Sequence, residues 1–199
     1  MPKVLFSLLS ICFLSTGIFA QSDASSLEKG KFKNENIFIG TGLNIGIANK
    51  SFNIGINPEI GYSITKWMDA GFVFNLNYFS QGPTIYSNIK YQNLSYGTGS
   101  FLRIWPVSFF NIQVQPEFNW INSTQKNMSS NTSMKYSYNA GSLLVGVGYG
   151  SHFIGNRYSY FTLMMDVLQD KNSPYRDQFN DPVPVFKAGF GMYLKPSKR

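Results

Sequence analysis

Five charged residues stand at positions where the surrounding sequence pattern places polar side chains on β-strands. They are Glu59, Arg103, Glu117, Asp166 and Lys187. Carboxylates and cations enclosed in a narrow interior are costly unless they pair with one another. Such a set could act as a gate or an ion path, or it could be a salt-bridged network that fills the interior. We favour the filling network as the simpler interpretation.

The expected ion pairs depend on which strands are neighbours. Asp166 and Lys187 lie on adjacent predicted strands, toward the same end of the fold. Arg103 is expected to bridge to Glu59 or Glu117, according to the stagger of the strands.

A proline precedes a glutamate in two similar segments, INPEIGY at 56–62 and VQPEFNW at 114–120. Proline cannot donate a hydrogen bond to a sheet and normally occurs at sheet edges or bulges. Since a closed barrel has no edge, we predict a bulge or bend at Pro58 and Pro116 that aims the next residue inward.

Catalytic and metal chemistry find little support in the sequence. His152 is the only histidine, and it is expected at the surface of a periplasmic turn without a partner. The chain has no cysteine after residue 20, so thiolate metal ligands are absent. We therefore predict no catalytic residue, no metal site and no cofactor.

Strict alternation of apolar and polar residues predicts the elements that hold these side chains. SFNIGINPEIGYSI, at 51–64, is the clearest example. Turn signals separate eight such segments, which favours an all-β, eight-stranded antiparallel up-and-down barrel. The predicted strands are roughly 36–47, 51–64, 70–79, 91–104, 109–121, 141–149, 158–168 and 183–194.

Charge decides which face of the strands lies inside. The apolar positions carry no charge, as expected where a midplane Arg or Lys would cost about 2–4 kcal/mol. The polar positions are mostly glycines and amides, whereas a soluble exterior would be about 25–35 % charged. Only 14 % of all residues are charged. The pattern therefore indicates a transmembrane barrel with its polar face inside, and a secreted lipocalin-like carrier of opposite polarity is the alternative.

The ends of the chain predict export. Residues 1–20 read as a signal peptide, 21–35 as a disordered segment, 36–194 as the barrel and 195–199 as a tail. The net charge of +7 could suggest nucleic acid, but export and scattered lysines argue against such a partner.

An even number of strands returns the chain to its starting side. Loops 80–90, 122–138 and 169–182 are then expected to face outward, since external loops of such barrels are the longer ones. Aromatic residues near strand ends are candidates for interfacial girdles: Tyr62, Tyr78, Tyr96, Trp120 and Tyr149.

The leader ending FAQ, the eight-strand pattern and the ending SLLVGVGYG…NSPY…VFKAGFGMYL resemble small outer-membrane β-barrels of Gram-negative bacteria, of the OmpA/OmpX/OmpW type. The last strand resembles the signal read by the barrel assembly machinery. Lys187, Gly189, Met192 and Leu194 fit its polar–x–Gly–x–x–apolar–x–apolar spacing.

The resemblance implies a monomer in the cell outer membrane, in contact with its lipid, with a barrel that is not an enzyme. Members of this family include structural anchors, adhesins and narrow channels. We expect a structural or surface-interaction role through an extracellular partner at the three outward loops. A narrow channel for small solutes or ions is the main alternative, and a lipid-modifying enzyme is less favoured.

Overall fold

The computed structural model describes residues 32–48, 50–83, 88–168, 170–176 and 181–195. Each strand pairs antiparallel with the next, and β1 pairs with β8 to close the barrel. The predicted eight-stranded up-and-down barrel is confirmed. The strands are β1 (Ile37–Ala48), β2 (Ser51–Thr65), β3 (Met68–Gln81), β4 (Ile89–Val107), β5 (Phe110–Asn127), β6 (Ser133–Ser151), β7 (Arg157–Asp166) and β8 (Val185–Tyr193).

The barrel has two unlike ends. At the terminal end β1 begins, β8 ends, and turns join β2 to β3, β4 to β5, and β6 to β7. The loop end carries the other connections. The predicted loop 122–138 is wrong, because β5 and β6 continue through most of it as a hairpin. In this extension 122–127 contains no apolar residue. In 133–138 the apolar residues Met134, Tyr136 and Tyr138 alternate with polar ones, but on the parity that faces the lumen below, so the outward apolar pattern does not continue into the hairpin.

The apolar positions face outward along all eight strands. Phe72 and Phe161, for example, are 64 % and 70 % exposed. Charged residues on the outward face of the described strands occur only toward the ends: Lys90, Lys126, Lys135 and Arg157. The wide middle belt is therefore apolar and uncharged, which suits hydrocarbon and is opposite to the polarity of a soluble carrier.

The five predicted girdle aromatics lie on the outward parity of their strands. Tyr96 and Trp120 stack with ring centroids 5.8 Å apart toward the loop end. Tyr149 lies toward the terminal end and is exposed. Amphipathic rings in two such bands are typical of the two interfaces of a membrane-spanning barrel.

The predicted bulges at the two prolines are wrong. The register of β2 against β3 is the same on both sides of Pro58, and that of β5 against β4 is the same on both sides of Pro116. Each proline interrupts pairing with one neighbouring strand, while pairing with the other neighbour is continuous. Because every strand of a closed barrel has two neighbours, one intact ladder holds the register.

The predicted signal peptide, 1–20, lies outside the described residues, as do most of the segment 21–35 and most of the tail 195–199. Asn34–Asn36 form a short 3-10 turn immediately before β1. In the described ranges, no helix has the length and apolar character needed to cross a membrane.

Candidate functional site

The lumen is filled by side chains from alternate positions of every strand, and glycines make the room. Tyr158 and Tyr160 of β7 project across toward β8 and β1. A β-carbon at Gly189 would overlap the ring of Tyr160, and one at Gly40 or Gly191 would overlap Tyr158. The glycines of β1 and β8 therefore admit the two large rings into a narrow barrel.

Glu59 and Arg103 form the central ion pair of the lumen. Arg103 Nη2 lies 3.1 Å from Glu59 Oε2, and both side chains are almost fully buried. Tyr158 and Tyr160 donate hydroxyl hydrogen bonds to the two carboxylate oxygens at 2.8 and 3.0 Å. The guanidinium also lies 4.0 Å from the centroid of the Tyr160 ring. These contacts offset the cost of removing two charges from water.

A ladder of amides along β5 continues from this pair. Arg103 Nε donates to Gln113 Oε1 at 3.0 Å, and Gln113 Nε2 donates to Gln115 Oε1 at 2.7 Å. Gln115 Nε2 then donates to Glu117 Oε1. Lys187 Nζ donates to Gln115 Oε1 at 3.2 Å. Arg103 therefore pairs with Glu59, and it reaches Glu117 only through two glutamines, which share one face of β5 at alternate positions.

Asp166 and Lys187 do not meet, although their strands are adjacent. Thr162 is the residue of β7 that pairs with Lys187. Asp166 lies four residues farther along and accepts the backbone N–H groups of Leu143 and Leu168 at 3.0 and 3.1 Å. Strand adjacency alone did not fix the stagger, so the expected proximity of these two charges was wrong.

The connection between β7 and β8 sends a tyrosine into the lumen. Tyr175 is 3 % exposed, and its hydroxyl donates to Glu117 Oε2 at 2.7 Å. Ser173 contacts Ser142 of β6, with their hydroxyl oxygens 3.1 Å apart. Burial, and then the negative charge of Glu117, raises the pKa of Tyr175 well above its ordinary value of 10.0, so it remains a neutral donor. The expectation that loop 169–182 faces outward does not hold for 173–175.

A second polar cluster closes the terminal end. Asp69 accepts hydrogen bonds from Ser63 Oγ at 2.6 Å and from Trp105 Nε1 at 2.9 Å. His152 Nε2 lies 3.1 Å from Asp69 Oδ1 and 3.1 Å from the Tyr193 hydroxyl. The His152 ring stacks on Trp105 with centroids 4.8 Å apart. We call these five residues the terminal-end cluster.

The sequence missed this cluster. His152 was expected at the surface without a partner, yet it is 6 % exposed and has two polar partners. The predicted third strand, 70–79, leaves out Asp69, whereas Asp69 belongs to β3 and shares the inward parity of Val73. β3 begins at Met68, two residues before the start of the predicted strand. Extending the alternation of the predicted strand by these two residues would have placed Asp69 at an inward position.

The terminal-end cluster contains a serine, a histidine and an aspartate, but not in a catalytic arrangement. In a nucleophilic triad the histidine lies between the hydroxyl and the carboxylate. Here Ser63 and His152 both contact Oδ1 of Asp69, and Ser63 is fully buried. A substrate has no access to this hydroxyl, so the cluster is suited to closing the barrel rather than to acyl transfer.

The loop end opens into a cavity of about 430 Å³ above the buried tyrosine. Tyr91, Tyr136 and Tyr138 line it together with amides and with Lys171 and Arg176. Volumes of this size, with aromatic walls and a few polar groups, are typical of small-ligand sites.

The parts of the predicted assembly signal lie on both faces of β8. Lys187 and Gly189 point into the lumen, where Gly189 adjoins the Tyr160 ring. Met192 and Leu194 point outward and are 51 % and 52 % exposed. Recognition of this strand by the assembly machinery stays a prediction.

Neither a protein-family model nor a curated protein matches the sequence. Among solved structures, the chain is similar to Ail, the attachment invasion locus protein of Yersinia pestis, in complex with the heparin analogue sucrose octasulfate (12 % identity, TM-score 0.46, covering 78 % of this chain and 93 % of that chain). It is also similar to Neisserial surface protein A (10 % identity, TM-score 0.47, covering 79 % of this chain and 96 % of that chain). A third similar structure is the N-terminal β-barrel domain of Pseudomonas aeruginosa OprF (13 % identity, TM-score 0.43, covering 78 % of this chain and 96 % of that chain).

The assignment of this chain rests on its own strand pairing and surface. Eight strands close in sequence order, an apolar belt free of charge surrounds them, and polar side chains fill the interior. Only a lipid environment makes such an exterior favourable, and closed antiparallel meanders of this kind span bacterial outer membranes. The chain is an eight-stranded transmembrane β-barrel of the outer-membrane type.

Proposed function

We propose that this protein is a non-enzymatic outer-membrane barrel that acts through its loop end, which faces the outside of the cell. The observation that carries the proposal is the filled lumen. Arg103, Gln113, Gln115 and Tyr160 lie at its centre and are at most 1 % exposed. A barrel whose centre is filled by side chains has its surfaces left for function, as an anchor or as a binding partner.

The loop end has the features of an interaction surface. The strands β4, β5 and β6 extend together at the loop end, and the cavity beside them combines three tyrosines with Lys171 and Arg176. Tyrosine and arginine are enriched at binding surfaces because they offer large contact areas together with polar groups. The extracellular partner is therefore expected at this end, with polar groups that match the tyrosine hydroxyls and amides of the cavity.

Planar-bilayer recording tests the filled lumen. The purified protein should give no stepwise conductance, and the variants Glu59→Gln and Arg103→Gln should reveal whether the central pair seals the barrel. Stepwise conductance of the wild type, altered by either variant, would replace this proposal with that of a narrow channel.

One observation favours the channel as a second candidate. Asn44, Asn75 and Asn111 are buried in the lumen, and their amide atoms have no hydrogen-bond partner among the described residues. Bound water would satisfy these groups, as it does at other buried polar sites. A chain of such waters is the most direct route by which a small solute could cross.

The proposed lack of enzymatic activity is tested at the terminal-end cluster, because serine and histidine are residue types that act as nucleophile and base in enzymes. Outer-membrane lipids should be the same in cells that express the wild type, Ser63→Ala or no protein. A lipid species that depends on Ser63 would favour a lipid-modifying enzyme instead.

A further inference from the structure

Three lysines form a patch on the outward face of the barrel near the loop end. Lys90 of β4 lies directly opposite Lys126 of β5. Lys135 of β6 is the partner of Thr124, so it is the diagonal neighbour of Lys126. Residues related in this way have β-carbons about 5 to 8 Å apart, and like charges directly opposite each other destabilise a sheet.

The repulsion within this lysine patch is not relieved by an ion pair with any carboxylate in the described part of the chain. Neither of the ion pairs found among the described residues involves these lysines. The patch also lies apart from the tyrosine-lined cavity, because residues of the opposite parity on the same strands line that cavity. A cluster that carries uncompensated positive charge when empty is suited to an anionic ligand.

Between the lysine patch and the apolar belt, the outward face changes from charged to polar and then to apolar. A groove of about 470 Å³ lies on the same outward face, and Leu94 forms its apolar side. Beyond Leu94 the Tyr96–Trp120 stack begins the belt. The polar lining of the groove comes from Tyr78, Gln92, Asn122, Thr124 and Ser137.

We infer that this face binds an anionic glycolipid of the outer leaflet. Its acyl chains lie on the apolar belt, its sugar contacts the hydroxyl and amide groups of the groove, and its phosphates contact Lys90, Lys126 and Lys135. A free anion would use only the lysines, whereas the graded surface matches all three parts of a phosphorylated lipid. The inference rests on the proposed orientation of the loop end toward the outside of the cell, and it is independent of whether the lumen conducts.

Native mass spectrometry of the full chain in detergent tests the site, with bisphosphorylated lipid A as the probe. The variant K90Q/K126Q/K135Q should bind at least about tenfold more weakly than the wild type, since each lysine near an anionic headgroup contributes to affinity. Monophosphoryl lipid A should bind the wild type more weakly than the bisphosphorylated form, and added salt should weaken both.

Two control variants make the test specific. K33Q/K66Q/K195Q removes the same number of charges at the terminal end and should bind as the wild type does. K90R/K126R/K135R keeps the charge and should also bind. All variants should keep the heat-modifiable gel mobility of a folded barrel. Equal binding by the glutamine variant, equal loss in the terminal-end control, or full displacement of lipid A by millimolar inorganic phosphate would each overturn the inference.

Discussion

The two halves of the lumen stabilise their buried glutamates with different kinds of contact. Toward the terminal end, Glu59 is held by Arg103 and two tyrosines, all on strands and packed among aromatic rings. Toward the loop end, Glu117 is held by amides and by Tyr175, which comes from a connection rather than a strand.

This difference predicts where stability resides. Strand side chains cannot leave the lumen without unfolding the barrel, whereas a connection can move away and admit water. The terminal half should therefore carry the cooperative stability of the fold, and the loop half should open locally at lower cost.

Arg103→Met should have the largest effect, because it leaves Glu59 buried without its cation. Breaking one partner of a buried pair typically costs about 3–5 kcal/mol. Urea unfolding in lipid vesicles, followed by tryptophan fluorescence, measures the free energy of unfolding. The double variant Glu59→Gln/Arg103→Met should recover part of the loss, and equal losses in the two variants would contradict the pairing.

Gly189→Ala should cause the second-largest loss of unfolding free energy, because the added β-carbon would overlap the Tyr160 ring. Forcing an extra methyl group into a packed interior costs about 1–3 kcal/mol. Gly46→Ala is the matched control in the loop half, where the added β-carbon would lie 3.4 Å from Asn53 Cβ, an ordinary contact. Unfolding free energies should separate the two variants, and equal values would show that the terminal half is not the more tightly packed one.

His152→Ala tests the terminal-end cluster. The variant loses the stacking on Trp105 and one polar contact of Asp69, while Ser63 and Trp105 still donate to Asp69. We expect a loss of about 1–2 kcal/mol in unfolding free energy, together with a change in Trp105 fluorescence. An unaltered emission spectrum would mean that the histidine does not pack on this ring.

Alternation of residue types was sufficient to predict the barrel, because a strand between lipid and a narrow lumen must obey it. It also put Glu59 and Arg103 at inward positions. It failed beyond the apolar belt. In the β5–β6 hairpin extension 122–127 has no apolar residue, and the apolar residues of 133–138 lie on the inward parity. Asp69 lies where β3 emerges from a turn.

The partners of the lumen charges depend on stagger and on connections, which sequence patterns do not specify. Lys187 lies opposite Thr162 rather than near Asp166 because the register of β7 and β8 is set by the whole closed sheet. Tyr175 could have been noticed as an aromatic residue in a polar connection, but its contact with Glu117 depends on a fold-back that no local pattern marks.

Tyr175→Phe should have the smallest effect and the most localised one. It removes one hydrogen bond to Glu117, and the connection that carries residue 175 can move aside to let water replace the lost donor. The unfolding free energy should fall by about 1 kcal/mol or less, while hydrogen exchange should rise within 170–176. Tyr160→Phe makes the same chemical change at Glu59 and should cost about 1.5–3 kcal/mol, because the strands around Glu59 cannot move aside to admit a replacement donor. If the two variants lost equal stability and exchange rose throughout the barrel in both, the loop half would be as cooperative as the terminal half.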